Sequence, residues 1–485
     1  MSSSPKTPLT FFNTATRQKE ILQPIKAGNI SMYTCGPTVY DFAHIGNFRT
    51  YVFEDILRRT LKFFGLKVTQ VMNLTDIDDK TIRGAIAKGI PLGEYTKKYS
   101  DAFFEDIKTL NIEPAEHYPA ATSYIKEMCA VIQKLLDKGI AYKSNDGSVY
   151  FAIKKFPHYG CLSHLDLDSL EAGASDRVAA DEYDKEHVSD FVLWKAYDPS
   201  RDGNIFWESP FGKGRPGWHL ECSTMAMNLL GETIDIHVGG IDNMFPHHEN
   251  EIAQSEAYSD KPFVKLWMHA EHLVVDNKKM SKSLGNFFTL RDLILKGYTG
   301  KQVRYMLLHT HYKTQLNFTF EGLEASGVAL QRLNDFIQRM QEIQKNGNGI
   351  KNSENFVTPI IEKTSHQFEV SLADDLNISA CLASLFDMVR EINSLADAGK
   401  INPEQAQNVL DFMHSIDKVL GVLTFEEEEV FPEPIVKAFE ERLEARKEKN
   451  WKLADSLRDF IYKEGYQIED TAKGARLKKT LTHKK

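Results

Sequence analysis

Residues 30–78, "ISMYTCGPTVYDFAHIGNFRTYVFEDILRRTLKFFGLKVTQVMNLTDID", constrain the fold of this chain more than any other stretch. Ile30 to Cys35 is a short apolar run that reads as a buried strand. Phe48 to Phe64 carries Val52, Ile56, Leu57, Leu61 and Phe64 at helical spacing, and Gly65 follows as a C-terminal cap. "LKVTQVMNLTDID" then reads as a second strand that ends in polar residues. Strand, turn, helix and strand make a βαβ unit. Its two strands must lie parallel, and a ligand crevice opens at their carboxyl ends.

The rest of the chain is consistent with an α/β protein carrying added modules. Helical patterns run to about Lys138, and "GIAYKSNDGSVYFAI" predicts a hairpin turning at Asn145-Asp146-Gly147. Up to Gly217, polar loops alternate with short aromatic segments, which marks an insertion. "TIDIHVGG" restores a buried strand and "HHENEIAQSEAY" a helix, with Pro246 suited to its first turn. "EHLVVDNKKMSKSLGN" predicts a hairpin-like turn and then a mobile loop. Leu323 to Leu423 is helical throughout, and "EEEE" at Glu426 to Glu429 reads as a linker. One charged helix, "VKAFEERLEARKEKNWKLADSLRDFIYKEG", leads into a basic tail.

Five cysteines in 485 residues are too few, and odd in number, for a disulfide framework. Cys129, Cys161 and Cys381 are expected to be buried structural residues. No apolar run is long enough to span a bilayer, and Met1 to Thr10 lacks a hydrophobic signal core, so the expected compartment is the cytoplasm. A net charge of −9 argues against indiscriminate binding to nucleic acid but leaves room for a local basic face.

Four groups of residues carry candidate chemistry. His44-Ile45-Gly46-Asn47 lies between a strand and a helix, where backbone N–H groups attract phosphate and imidazole and amide donors can stabilise developing charge. Lys279 and Lys282 in "KKMSKS" could close on a triphosphate. Cys35, Cys222, His247 and Glu251 together offer two thiolates, an imidazole and a carboxylate, a donor set suited to tetrahedral zinc. His248 or His219 could replace His247, and Cys35 alone could equally be a nucleophile or a small buried residue. Gly239-Gly240-x-Asp242 follows a buried strand and offers close backbone approach with a carboxylate for ribose hydroxyls.

Taken together, these segments resemble a known family. His-Ile-Gly-Asn and Lys-Met-Ser-Lys-Ser are similar to the two signatures of class I aminoacyl-tRNA synthetases. "YTCGPTVYDFAHIGN", "NLTDIDDK", "FVLWK", "GRPGWHLECS", "GGIDNMFPHHENEIAQSEA", "KMSKSLGNF" and "ADDLN" resemble the cysteinyl-tRNA synthetases, in that family's order from Tyr33 to Asn377. The resemblance implies a Rossmann-type parallel-sheet catalytic domain split by an insertion, followed by a helical bundle and a small C-terminal anticodon-binding domain. The expected boundaries are 1–139 and 218–275 for the two catalytic halves and 140–217 for the connective insertion. The signature loop and stem-contact region would be 276–324, the bundle 325–425 and the anticodon-binding domain 426–485.

The same resemblance assigns roles. Cys35, Cys222, His247 and Glu251 would hold one Zn2+, so Cys35 would be a metal ligand rather than a nucleophile. His44, Asn47, Lys279 and Lys282 would be catalytic, and His44, Gly46, Asn47, Gly239, Gly240, Asp242 and Lys282 would bind ATP with Mg2+. Gly36, Thr75 and Trp218 would receive L-cysteine, and the acceptor would be tRNA(Cys), on a monomeric enzyme. Four protein ligands ordinarily close a metal site, so substrate would have to add a fifth or loosen Glu251. Position four of the first signature is Asn47 where the class name has His, and the insert near Ala180 to Val188 is longer than the pattern. Two rival readings share the core. A ligase joining cysteine to an amino-sugar would lack the long C-terminal region, and a non-catalytic paralogue would not be expected to retain His44, Lys279, Lys282 and the four metal donors.

Overall fold

The computed structural model describes residues 7–164, 190–346, 355–425, 431–471 and 474–479. At its centre, four parallel strands lie in the spatial order Val264–Ala270, Ile234–Gly240, Asn29–Thr34, Lys67–Met72. The βαβ expectation holds, since Asn29–Thr34 pairs in parallel with Lys67–Met72 across the helix Ile45–Phe63. That helix begins three residues before Phe48. His44 accepts a hydrogen bond from the Asn47 backbone while the Asn47 side chain accepts from that of His44, a reciprocal cap that starts the helix early.

Successive residues of each strand face opposite sides, and both sides are covered. Met32, Ile236, Val238 and Met268 pack beneath Phe53, Leu57 and Leu61 of the helix. Tyr33, Val71 and Trp267 pack on the other side with Leu220, Met225 and Ala253. Burying each large apolar side chain is worth ~1.5–3 kcal/mol, so the two cores, rather than strand propensity, hold the sheet. The chain order along the sheet reverses between Asn29–Thr34 and Ile234–Gly240. Their carboxyl ends therefore flank a switch point, the place where open α/β sheets take ligands.

The edge strand is tied to the helix through charge. Arg58 makes two parallel hydrogen bonds of 2.8 Å to the Glu116 carboxylate, which also accepts from the Gln70 N–H at 2.7 Å. Burial pushes the Glu116 carboxyl up, but these donors outweigh it and carry it down to about 2. A lowered folded-state value contributes stability above the ordinary carboxyl range, and that contribution is lost as pH falls toward the folded value. Glu116 is 37% exposed, so screening by water reduces the effect. Glu116→Gln is expected to lower the thermal midpoint at pH 7. The gap from wild type should narrow steadily as pH falls from about 5 toward 3, and a pH-independent gap would assign the loss to packing.

Beyond the parallel sheet, Ala141–Lys143, Val149–Phe151, Phe191–Ala196 and Gly214–Pro216 form a separate antiparallel sheet. Its first two strands are the expected hairpin, with Gly147 at a positive φ. The insert near Ala180 to Val188 lies outside the described residues. Leu273–Val275 and Lys278–Lys279 pair as a second hairpin through Asp276 and Asn277, both in the left-handed region. Two shorter helices, Leu290–Leu295 and Gly300–Leu308, come next, and among the described residues of this region the longer helices Phe320–Asn346, Val357–Ala373, Ile378–Asp397 and Pro403–Leu420 follow them.

The chain divides into two compact units, Met1–Leu423 and Thr424–Lys485. The second holds two helices, Glu433–Lys447 and Trp451–Lys463, and a hairpin of Tyr466–Thr471 with Gly474–Lys479. One continuous charged helix was expected here. The helix instead stops where Lys449 turns left-handed (φ 61°), and Asn450 caps the next one. The break lets Ile435, Ala438 and Ile461 pack on one another, burial that a single straight helix of this length would not allow. Of the three cysteines expected to be buried, only Cys381 is so. Cys129 is half-buried and Cys161 exposed, although its neighbours Tyr159, Gly160, Leu162 and Ser163 are buried. Among the described residues, no helix is long and apolar enough to cross a membrane.

Candidate active site at the strand switch point

Each candidate metal donor comes from a different element. Cys35 is the first residue beyond its strand, and Cys222 lies one turn into the helix Trp218–Leu230. His247 sits in the turn Met244–His248, and Glu251 in the first turn of the helix Glu249–Ser259. Pro246 stands in the first helical turn, as the sequence predicts. It follows the one extended residue of that turn, Phe245 (φ −135°, ψ 133°), and the helical backbone runs on from it into Glu249–Ser259, so His247 and Glu251 face each other four residues apart.

All four donors are buried, and their ligand atoms lie within 4.8 Å of one another. Glu251 Oε1 is 3.1 Å from His247 Nε2, yet no hydrogen bond of proper alignment joins them. Burial pushes the Cys222 thiol up, but the hydrogen bond with Cys35 and the neighbouring His247 bring it below its ordinary value. Burial likewise raises Glu251, and His237 and His247 reverse that. A thiolate and a carboxylate facing an imidazole in a dry pocket are the donor chemistry that a zinc ion takes. The residues therefore fit the metal.

A second quartet overlaps the first, since Cys35 and Glu251 also lie within 4.8 Å of His237 and His248. His248 Nε2 is 3.2 Å from Cys35 Sγ, and His248 Nδ1 is 2.8 Å from His269 Nε2. His219 belongs to neither quartet. It backs the first one through a 2.9 Å contact between its Nδ1 and that of His247. His237 and His269 were not picked out from the sequence. The available signal was a histidine inside a buried strand, in "IDIHVGG" and in "WMHA", where a charged or unpaired imidazole is costly without a partner.

The expected cysteine-binding residues line the same pocket. The Trp218 indole stacks on the His247 ring at 4.1 Å. The Gly36 N–H donates to Asn73 Oδ1 at 2.9 Å, and Thr75, fully buried, accepts from Asn73 Nδ2 at 3.0 Å. A Cβ at position 36 would stand 1.8 Å from the Asn73 carbonyl oxygen, so only glycine allows this approach.

The nucleotide candidates converge in part. Because the Asn47 N–H donates to His44 Nδ1, the neutral imidazole keeps its proton on Nε2, as a donor. Burial lowers the His44 pKa, with Asp242 opposing and Lys282 assisting, so both charges stand within reach of the ring. The Asn47 side-chain oxygen is taken up in capping the helix. The signature loop docks on the same turn, with Ile45 N–H donating to the Phe288 carbonyl at 3.0 Å. Lys282 Nζ is 2.6 Å from Asp41 Oδ2, whereas Lys279 stands exposed on the edge of its hairpin. A Cβ at Gly240 would stand 2.4 Å from Asp242 Oδ1, so glycine lets that carboxylate fold back over the strand end.

Sheet order, switch-point site and docked signature loop define a class I aminoacyl-tRNA synthetase. Residues 21–327 match the family described as tRNA synthetases class I (C) catalytic domain, and residues 367–424 match a DALR domain. The fold is shared with Mycobacterium tuberculosis methionyl-tRNA synthetase in complex with methionyl-adenylate, at a TM-score of 0.58 and 15% identity over 81% of this chain and 88% of that one. The Agrobacterium radiobacter K84 agnB2 LeuRS–tRNA–LeuAMS complex aligns at a TM-score of 0.59 and 13% identity, over 82% of this chain and 85% of that one. The chain belongs to the cysteine–tRNA ligase family. It is 67% identical to that enzyme of Protochlamydia amoebophila (strain UWE25) over 97% of this chain and 98% of the relative. It is 57% identical to that of Chlamydia pneumoniae over the same shares.

Proposed function

We propose that the chain attaches L-cysteine to tRNA(Cys) in two steps, using ATP and passing through a bound cysteinyl-adenylate. The observation that carries this reading is the buried Cys35, Cys222, His247 and Glu251 quartet at the switch point, beside a docked signature loop. A carboxylate oxygen of cysteine attacks the α-phosphorus of ATP, and pyrophosphate leaves. His44 donates from Nε2 to phosphate oxygens as charge builds, and Lys282 leaves Asp41 for the leaving phosphates, with Lys279 as a second cation. Asp242 and the Gly239-Gly240 turn hold the adenosine, and Mg2+ accompanies the triphosphate. The cysteinyl group then passes to the 2′-hydroxyl of the terminal ribose.

Cys35, Cys222, His247 and Glu251 hold Zn2+ in this reading. When bound, the metal supplies a site where a thiolate is a far better ligand than a hydroxyl, which separates cysteine from serine. Shape alone discriminates poorly between such close analogues. Helices from about Ala325 to Leu423 support the tRNA, residues after Phe431 read its anticodon, and the enzyme works as a cytoplasmic monomer.

The test is ATP–pyrophosphate exchange with cysteine beside serine, with metal content read on the same sample. Exchange with cysteine alone and about one zinc per chain is the expected result. A folded, zinc-loaded protein without exchange would overturn the reading. Charging of tRNA(Cys) rather than an amino-sugar then settles the acceptor.

A further inference from the structure

We propose that Glu249 and Asn250 are positioning residues that fasten the turn carrying His247 and Glu251 to the loop 159–163, and that this clamp keeps zinc in the pocket. It rests on the reading of Cys35, Cys222, His247 and Glu251 as the zinc site. Glu249 and Asn250 lie between two of those donors in the chain. A helical turn takes about 3.6 residues, so His247 and Glu251 share one face and Glu249 stands on the opposite one. His247 and Glu251 accordingly meet Cys35 and Cys222, while Glu249 and Asn250 reach the loop behind them.

The clamp is made of four hydrogen bonds between segments 86 to 91 residues apart. Glu249 is 0% exposed, and its Oε1 accepts from the Gly160 N–H at 2.7 Å. Its Oε2 accepts from the Ser163 N–H at 2.9 Å and from the Ser163 hydroxyl at 2.8 Å. Asn250, equally buried, accepts from the Tyr159 hydroxyl through Oδ1. Tyr159, Gly160 and Ser163 are buried in turn, so these bonds form away from water. Gly160 has a φ of 92°, a backbone that suits glycine and lets one short loop present two N–H groups to one carboxylate.

A buried carboxylate stripped of its donors costs the fold more than an exposed one. The loop therefore cannot leave without stranding Glu249, and the turn cannot shift without breaking the loop's bonds. Among the described residues, no side chain caps the turn Met244–His248 or the helix that it enters. His237 holds the Glu251 carboxylate from the pocket side, at 3.1 Å, and the clamp holds the backbone that carries it. Partners behind a metal ligand fix its orientation, and donors already in place lose less freedom when the metal binds.

The test follows zinc leaving the loaded protein into a chromophoric chelator, at a temperature well below the thermal midpoint. Glu249→Gln puts an NH2 group opposite one of the loop's N–H donors and is expected to speed release about 10–100-fold. Tyr159→Phe with Ser163→Ala removes two hydroxyl bonds and leaves both backbone donors to Glu249. That double variant should release zinc several-fold faster than wild type, and it carries the test if Glu249→Gln fails to fold. A role confined to holding the fold would lower the thermal midpoint of both variants and leave the release rate as in wild type, which would overturn the proposal. A wild-type protein that takes up no zinc would instead remove the reading of the site beneath it.

Discussion

Cys222→Ser is expected to strip the metal and lower kcat/KM for cysteine about a thousandfold, roughly 4 kcal/mol at 1.4 kcal/mol per decade. Cys222 is 1% exposed, and its thiol faces Cys35, His247 and Glu251 in a pocket that excludes water. A hydroxyl at that place is a poor zinc ligand and does not ionise near neutral pH. The loss should also erase specificity. The cysteine-to-serine ratio should fall toward ~100, the level that a shape-based pocket manages between near-isosteres. Metal analysis with exchange kinetics for both amino acids checks this. A metal-free variant with the full cysteine preference would mean that specificity lies in the walls of the pocket.

Asp55→Ala is expected to cost about 3–5 kcal/mol of stability, the range for breaking a buried ion pair by removing one partner. Asp55 and Arg304 are both 0% exposed and 2.5 Å apart. Arg59 Nε donates to the same carboxylate oxygen at 2.7 Å, and the Glu113 N–H donates to the other at 2.8 Å. Arg304 also donates to the Leu420 carbonyl at 2.7 Å and to those of Leu110 and Asn111, joining the helix Ile45–Phe63 to the end of the helical region. Removing Asp55 would leave Arg304 buried without its paired carboxylate and Arg59 with Glu113 alone, at 3.8 Å. Arg304→Met should cost less, since Arg59 would still neutralise Asp55. The double variant should recover part of the loss, because it removes the uncompensated charge as well. Urea unfolding of the three variants would measure the coupling, and simple additivity would show that the pair does not act as a unit.

The site was more legible in the sequence than the fold around it. Cys35, Cys222, His247 and Glu251 were picked out by donor chemistry and by resemblance, and they meet in space although Cys35 and Cys222 are separated by the whole insertion. Asn47 was expected mainly as a catalytic donor. It also caps its helix and fixes the His44 tautomer, a role that depends on local backbone geometry. Lys279 and Lys282 are equivalent as sequence, but only Lys282 is held against the His44 turn, through Asp41.

What the sequence determined by itself is the set of local patterns that repeat along one element. The βαβ unit at 30–78, the Asn145-Asp146-Gly147 turn and the apolar stripes of the helical region follow from side-chain periodicity and turn chemistry, which act over a few residues. Tertiary structure alone decided which distant groups share a dry space. His237 and His269 are single residues in apolar strands, and they become part of the site because neighbouring strands bring their side chains together at one face. The break at Lys449 was likewise hidden, because helix propensity favours continuing through it and only the burial of Ile435 against Ile461 rewards the turn.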